Sequence, residues 1–199
     1  QAYLNDMKTA ANFAFTNRAV LTDRLFKGLK AELGEEVELS TLYDVSHNIA
    51  KIEDHVIHGK NCTCVVHRKG ATRAFSGNQP DVHASFSDTG QPVVVPGDMG
   101  RGSWLMAGPR TQQNQAFGSA CHGAGRALSR SAARKQINAE QKENELRNKG
   151  IVVQAATKNI LSEEAPEAYK NVDQVIENTS RANLARPVLR LEPMAVIKG

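Results

Sequence analysis

The stretch Phe117-Gly-Ser-Ala-Cys-His-Gly-Ala-Gly-Arg-Ala-Leu-Ser-Arg130 gathers small residues, one thiol, one imidazole and two guanidiniums into consecutive positions. It constrains the fold more than any other part of the chain. Gly118, Gly123 and Gly125 allow backbone to come closer to a ligand than a residue with a Cβ permits. From Ala124 onward the pattern is that of a helix start, whose free N–H groups suit an anion, and His122 then stands at the mouth of that anion site. Glycine-rich turns also occur where a chain merely reverses, so the other segments have to decide between a site and a turn.

A length of 199 residues with 40% hydrophobic and 23% charged content is enough for one sizeable core or two small ones, and a single domain over residues 1–199 is expected. The formal charge of +4 and pI near 9.0 suit a polyanionic partner, without the Lys and Arg blocks of a nucleic-acid tail. No run approaches the roughly 18 to 20 apolar residues that span a bilayer, and the amino end lacks a charged-then-apolar signal pattern. A cytoplasmic protein without membrane contact is the expectation. Three cysteines form no disulfide framework and imply reduced thiols. The chain opens at Gln1 and enters helical pattern almost at once, which implies processing or truncation upstream.

From Asn5 to Leu33 apolar residues recur at helical spacing, as in Met7, Ala11 and Ala14 and then Leu21, Leu25 and Leu29. This predicts one long amphipathic helix capped by Asn5 and stopped by Gly34, with Phe13, Phe15 and Phe26 packed in the core. Between Leu42 and Arg68 two runs of apolar-polar alternation flank His58-Gly-Lys-Asn61, the pattern of a hairpin. Cys62 and Cys64 share a face of its second strand. Such a pair can bind metal, but structural zinc usually brings a second pair, so buried thiols are expected. The basic turn His67-Arg-Lys-Gly-Ala-Thr-Arg73 suits a phosphate backbone and plain water equally. Ser76 to Gly90 reads as a polar surface loop, and its lone His83 is given no role.

Gln91-Pro-Val-Val-Val-Pro96 predicts a short buried strand that runs into the glycine-rich turn Gly97-Asp-Met-Gly-Arg-Gly-Ser103, after which Trp104 to Gly108 resumes strand character. Two glycine-rich turns at strand ends point towards a nucleotide pocket, although neither has Walker or dinucleotide spacing. Arg126, Arg130 and Arg134 fall at i, i+4 and i+8, one face of a helix if the one starting at Ala124 persists; a solvated stripe has the same pattern. Lys142 to Lys149 predicts a charged helix stopped by Gly150, and Ile151 to Thr157 a strand. Ser162 and Asn171 are expected to cap two further helical pieces, and Pro187 to Ile197 to form one closing strand. The fold class is α+β, with mixed sheets and packed helices.

Three strings, Val66-His-Arg-Lys-Gly-Ala-Thr-Arg-Ala-Phe75, Phe117-Gly-Ser-Ala-Cys-His-Gly-Ala-Gly-Arg126 and Glu164-Ala-Pro-Glu-Ala-Tyr-Lys-Asn-Val-Asp173, resemble the RtcB family of RNA-splicing ligases, and Val196-Ile-Lys-Gly199 also matches. The likeness runs across nearly the whole chain and covers the carboxy-terminal half of the family's usual length. It implies part of an RtcB-like ligase fold. It also implies the activity: joining RNA 3′-phosphate or 2′,3′-cyclic phosphate ends to 5′-hydroxyl ends, with GTP and manganese (Mn2+), through a guanylated histidine. The partners implied are RNA (tRNA halves in tRNA splicing, broken ends in RNA repair), the absent amino-terminal half, and an accessory activator protein. By the same resemblance His122 is the guanylated residue. His47, in Asp44-Val-Ser-His-Asn48, is a metal ligand at the nucleotide site, with Asn48 beside the nucleotide. Pro96, Gly97, Asp98, Met99 and Ser103 form the nucleotide-contacting turn, Gly123, Ala124 and Gly125 its partner, and Tyr169 and Lys198 the guanine contacts. The family's further Asp, Cys and His ligands come from upstream segments that this chain lacks.

Elementary chemistry agrees with a histidine carrier. An imidazole with a reference pKa of about 6.5 is already unprotonated near neutrality, whereas bringing a lysine from about 10.4 to 7 costs on the order of 4–5 kcal/mol. Manganese takes oxygen and imidazole ligands, which suits His47, but one imidazole does not hold a divalent ion tightly. Cys121 adjoins His122, and neighbours on extended backbone point to opposite sides, so Cys121 is expected to pack. His55, His58 and His67 stay unassigned. Asp98 would repel a triphosphate unless a metal or Arg101 intervenes. Arg126 and Arg130 are the candidates for the RNA phosphate, because guanidinium forks match phosphate oxygens. Two other readings stay open: a catalytically incomplete fragment that binds nucleotide or RNA, and a metal-dependent phosphoesterase using the same turns.

Overall fold

A computed structural model describes residues 2–111 and 116–198; Gln1 and Gly199 lie outside the described residues. Helix α1 (Ala2–Leu33) ends where the Gly34 N–H donates to the Lys30 carbonyl and Gly34 turns to φ +112°. Strands β1 (Asn48–Ile57) and β2 (Lys60–Lys69) form an antiparallel hairpin in which Ile57 faces Lys60. Its two-residue loop, His58 and Gly59, takes positive φ at both positions (49° and 77°), the combination a right-twisted hairpin requires.

Strand β3 (Ala71–Arg73) pairs antiparallel with β6 (Ser119–Cys121). Strands β4 (Pro92–Asp98), β5 (Gly102–Ala107) and β8 (Arg186–Leu191) make a three-stranded antiparallel sheet. Helices α2 (Arg130–Gln136), α3 (Ala139–Asn148), α4 (Lys158–Glu163) and α5 (Val172–Arg181) follow, with β7 (Val152–Ala155) and β9 (Ala195–Lys198) forming a parallel pair. This is α+β, small mixed sheets with packed helices, as expected.

One core lies under the three-stranded sheet, where Val93, Val95 and Met106 meet Val172 and Ile176 of α5. A second gathers Leu146, Ile151, Val153 and Leu161 around Met99, the residue at the tip of the β4–β5 turn. Each fully buried side chain of this size contributes about 1.5–3 kcal/mol, so the turn is rooted in both cores. Among the described residues no helix is long and apolar enough to cross a membrane.

Several sequence expectations need correcting. Helix α1 begins before Asn5, which therefore does not cap it, and none of its described residues is buried. Phe13 is 77% exposed and Phe15 and Phe26 are half-buried, because the helix lies against β1 along one side only. Ser162 is buried inside α4, while Thr157 precedes that helix without a side-chain cap bond. Asn171 does cap α5, accepting from the Asp173 N–H at 2.9 Å. The expected closing strand breaks at Glu192–Met194 into β8 and β9, which belong to different sheets. The basic turn 67–73 serves neither phosphate nor water through its arginines. Arg68 is buried on Glu53, and Arg73 pairs with Asp81 at 3.1 Å. Cys62 and Cys64 are free and half-buried.

Candidate nucleotidyl-transfer site

The turn between β4 and β5 is closed as tightly as backbone allows. A Cβ on Gly97 would stand 2.0 Å from the Gly102 carbonyl oxygen, and Gly102 itself takes φ +102°. Asp98 closes the loop from inside: its side chain is fully enclosed, and Oδ1 accepts from the N–H groups of Gly100 and Arg101, both at 2.9 Å. Its Oδ2 lies 2.8 Å from Arg101 Nε, an ion pair rather than an aligned hydrogen bond. Arg101 is thus one charge that offsets this carboxylate. It continues to the carbonyl of Pro166, and Arg190 Nη2 holds the Arg101 carbonyl at 2.7 Å. Beside this turn lies a cavity of about 360 Å³ lined by Pro96, Gly97, Asp98, Met99, Ser103 and, from the other end of the chain, Lys198.

The segment after β6 docks onto the same turn. Chain direction changes at His122 and Gly123, and the Ala124 N–H donates to the Pro96 carbonyl at 3.0 Å. Gly123 is not forced by its neighbours, since a Cβ there would be 3.4 Å from the nearest of them; at Gly125 a Cβ would meet nothing within 4 Å, and it is the left-handed φ of +76° that favours glycine. Helix does not begin at Ala124. Gly125 is left-handed and Arg126 is bridged to Tyr169, so α2 starts only at Arg130, where Ser129 caps it by accepting from the Ala132 N–H. The three arginines do not share a helix face: Arg126 lies outside the helix, while Arg130 and Arg134 both approach Glu163.

Two residues far apart in sequence meet at this point. The rings of His47 and His122 stack with centroids 3.6 Å apart and planes within 5°. His47 immediately precedes β1, and its carbonyl accepts from the Gly70 N–H at 2.9 Å, fixing it across the mouth of the hairpin. Asn48 Oδ1 receives the same N–H at 3.3 Å. Burial, and then the neighbouring His47, push the His122 pKa below the ordinary imidazole value, so the ring is neutral near physiological pH. Cys121, by contrast, is pushed up by burial, which outweighs its contact with Thr179 Oγ1 at 3.3 Å and keeps it a thiol.

Tyr169, Lys198 and Arg126 converge on Glu164, a residue given no role by its pattern although it opens one of the quoted strings. The Tyr169 hydroxyl donates to Glu164 Oε2 at 2.5 Å, Lys198 Nζ lies 3.6 Å from the same oxygen, and Arg126 Nη1 reaches Oε1 at 3.3 Å. Arg126 also donates to the carbonyls of Leu128 and Glu163 and to the Tyr169 hydroxyl. Burial raises the Glu164 carboxyl, but the Tyr169 hydrogen bond and the Lys198 and Arg126 charges outweigh it and hold the group below its usual range.

Burial, then the bond to Glu164 and its charge, push the Tyr169 phenol up to about 12. The contact is therefore fully present below the ordinary phenol value of about 10 and lost as pH rises through about 12. The Tyr169 Cζ resonance is expected to keep its neutral position at a pH of about 11 and to shift there in Glu164→Gln. Equal titration of Tyr169 in both proteins would contradict the contact.

Among the described residues no group of three His, Cys, Asp or Glu side chains is close enough to enclose a metal ion. His47 offers one imidazole, so the described residues do not by themselves fit a manganese ion.

A family model described as tRNA-splicing ligase RtcB matches residues 1–199. The tRNA-splicing ligase RtcB of Thermococcus kodakarensis is 47% identical over 202 residues that cover 100% of this chain and 42% of that protein. The protein of the same description from Pyrococcus abyssi is 45% identical and covered to 22%. That of Pyrobaculum aerophilum is 43% identical over 99% of this chain and 42% of its own length. The chain thus spans less than half the length of these curated relatives. With the family model covering every residue and this identity running from end to end, the chain belongs to the tRNA-splicing ligase RtcB family.

Proposed function

We propose that this chain supplies the nucleotidyl-transfer portion of an RNA ligase that uses GTP and manganese to join 3′-phosphate or 2′,3′-cyclic phosphate ends to 5′-hydroxyl ends, with His122 as the residue that accepts GMP. The observation that carries this reading is a neutral imidazole, stacked on His47, in a loop docked on the glycine turn whose residues, with Lys198, line a cavity. Pro96 joins the two, lining the cavity and accepting the Ala124 N–H of the His122 loop.

In this reading a lone pair on His122 attacks the α-phosphorus of GTP. A nitrogen–phosphorus bond forms, and the bond from that phosphorus to the pyrophosphate oxygen breaks, its electron pair leaving with pyrophosphate. An oxygen of the RNA 3′-phosphate then attacks the same phosphorus, and protonation of the ring makes the departing imidazole a good leaving group. The chain's own part is to keep His122 unprotonated, orient it on His47, and hold the nucleotide on the 96–103 turn. Manganese would lower the repulsion between the meeting anions, with His47 as one ligand and the others from outside this chain. On the RNA side, Arg130, exposed on α2, is the phosphate contact, while Arg126 reaches a phosphate only by giving up Glu164.

Lys198→Ala, in the full ligase, is expected to reduce the preference for GTP over ATP in covalent labelling by about tenfold, because an ammonium at the base edge favours the guanine carbonyl. Unchanged selectivity contradicts the guanine contact. A second reading, that this chain binds nucleotide or RNA without transferring GMP by itself, is favoured by its covering only 42% of the Thermococcus relative. Labelling of the isolated chain with GTP and manganese separates the two readings.

A further inference from the structure

The β1–β2 hairpin encloses an ion pair whose donors are divided in an informative way. The side chains of Arg68 and Glu53 are 1% and 2% exposed. They meet through two parallel hydrogen bonds of 2.8 Å, a fork that fixes each partner's orientation. Two further N–H groups of Arg68 go to the segment that leads into β6. Nη2 donates to the Phe117 carbonyl at 2.8 Å and Nε to Ser119 Oγ at 2.9 Å.

Glu53 is held from its other side by His55 Nε2 at 3.1 Å, and the His55 ring stands edge-on to Phe117 with centroids 5.2 Å apart. The network therefore touches Phe117 at its carbonyl and at its partly exposed ring, and this residue carries φ +49°. A bulky side chain takes that left-handed conformation only where its surroundings compel it. Burial would raise the Glu53 carboxyl, but the bonds from Arg68 and His55 prevail and hold it below its usual value, so the pair stays charged.

A buried pair of this kind is a poor source of stability, since desolvation consumes much of the attraction and an apolar pair of similar volume does as well. What it supplies is fixed geometry. The same hairpin holds His47 through the Gly70 N–H, two residues beyond Arg68, while Ser119 lies three residues before His122. One rigid element thus grips both of the segments whose imidazoles stack at 3.6 Å.

We infer that Arg68, oriented by Glu53, is a positioning residue for the reaction: it sets the Phe117–Cys121 segment so that His122 lies against His47, and it acts through His122 without touching nucleotide. The inference rests on the reading of His122 as the GMP acceptor. Loss of the grip is expected to lower the rate of the covalent step while leaving the affinity for GTP unchanged.

Two variants of the full ligase test it. Ser119→Ala removes one contact of Arg68 and leaves the ion pair whole. Glu53→Gln with Arg68→Met removes both charges together and orphans neither. Single-turnover GMP labelling at saturating GTP is expected to slow several-fold in the first and on the order of tenfold to a hundredfold in the second, with half-saturating GTP unchanged. In nucleotide-free protein, the ring protons of His122 are expected to lose part of the ring-current shift imposed by His47. A folded double variant with wild-type labelling rate and wild-type ring shifts overturns the inference. Should the double variant fail to fold, Ser119→Ala decides alone, and wild-type values there overturn it equally. Absence of labelling in the wild type would instead strike the reading of His122, and the ring shifts would still report whether Arg68 positions it.

Discussion

Replacing His122 with alanine is expected to abolish covalent GMP labelling, by a factor of at least about a thousand, and to leave the fold intact. The side chain is half-buried, and its observed ring partner is His47. Losing such a stack costs about 0.5–1.5 kcal/mol, small against the 5–15 kcal/mol typical of a folded domain. The loop itself stays anchored, because its docking bond runs from the Ala124 N–H to the Pro96 carbonyl and involves no side chain. The adjacent thiol is no substitute, since burial keeps Cys121 protonated. Labelling with α-phosphate-labelled GTP, alongside thermal melting, checks both halves of the statement. Labelling that persisted in a folded His122→Ala protein would move the acceptor elsewhere.

Gly97→Ala is expected to be the most damaging single methyl on the nucleotide side. The new Cβ would stand 2.0 Å from the Gly102 carbonyl oxygen and 3.1 Å from the Val172 side chain. Neither can yield easily: Gly102 is paired with Asp98 in the sheet, and Val172 is fully buried in the core beneath it. Overpacking of this kind costs about 3 kcal/mol, which for a domain of this size lowers Tm by roughly 6–12 °C. Relief of the clash opens the β4–β5 turn, so nucleotide binding falls with stability. Gly28→Ala in α1 serves as the control, because nothing lies within 4 Å of its new methyl. Wild-type melting and nucleotide binding in Gly97→Ala would show that the turn is not closed as described.

Much of this arrangement was legible in the sequence where local chemistry decides conformation. The alternation on either side of His58 and Gly59 specified the hairpin, Gly150 stopped α3, and Asn171 capped α5. The Gly97–Ser103 turn and its two flanking strands fell where expected, and Arg101, one of the two groups the carboxylate of Asp98 was expected to need beside a triphosphate, is paired with it.

What failed depended on partners distant in sequence. The run after Ala124 has helical composition, yet the Arg126–Tyr169 bridge and the left-handed Gly125 draw it into another shape. The alternation from Pro187 to Ile197 is real, but Glu192, Pro193 and Met194 divide it between two sheets. Phe13 shows that periodicity identifies a face suited to burial without providing something to cover it. Family resemblance named His47 and His122 separately; their stacking follows from the hairpin and from β6, whose pairing no local pattern announces. Arg68 was hidden for a related reason. Basic residues beside a turn normally face water, and only the strand parity that puts Arg68 on the buried face with Glu53 distinguishes it.

The central claim is that His122 carries the nucleotide. It is tested most directly by intact-mass measurement of this chain after incubation with GTP and manganese, with and without the remaining segments of the ligase, followed by peptide mapping of any adduct. The expected result is one GMP per chain, attached to His122 through a nitrogen–phosphorus bond that acid cleaves and alkali spares. An adduct mapping to any other residue, or none even when the remaining segments are supplied, would contradict it.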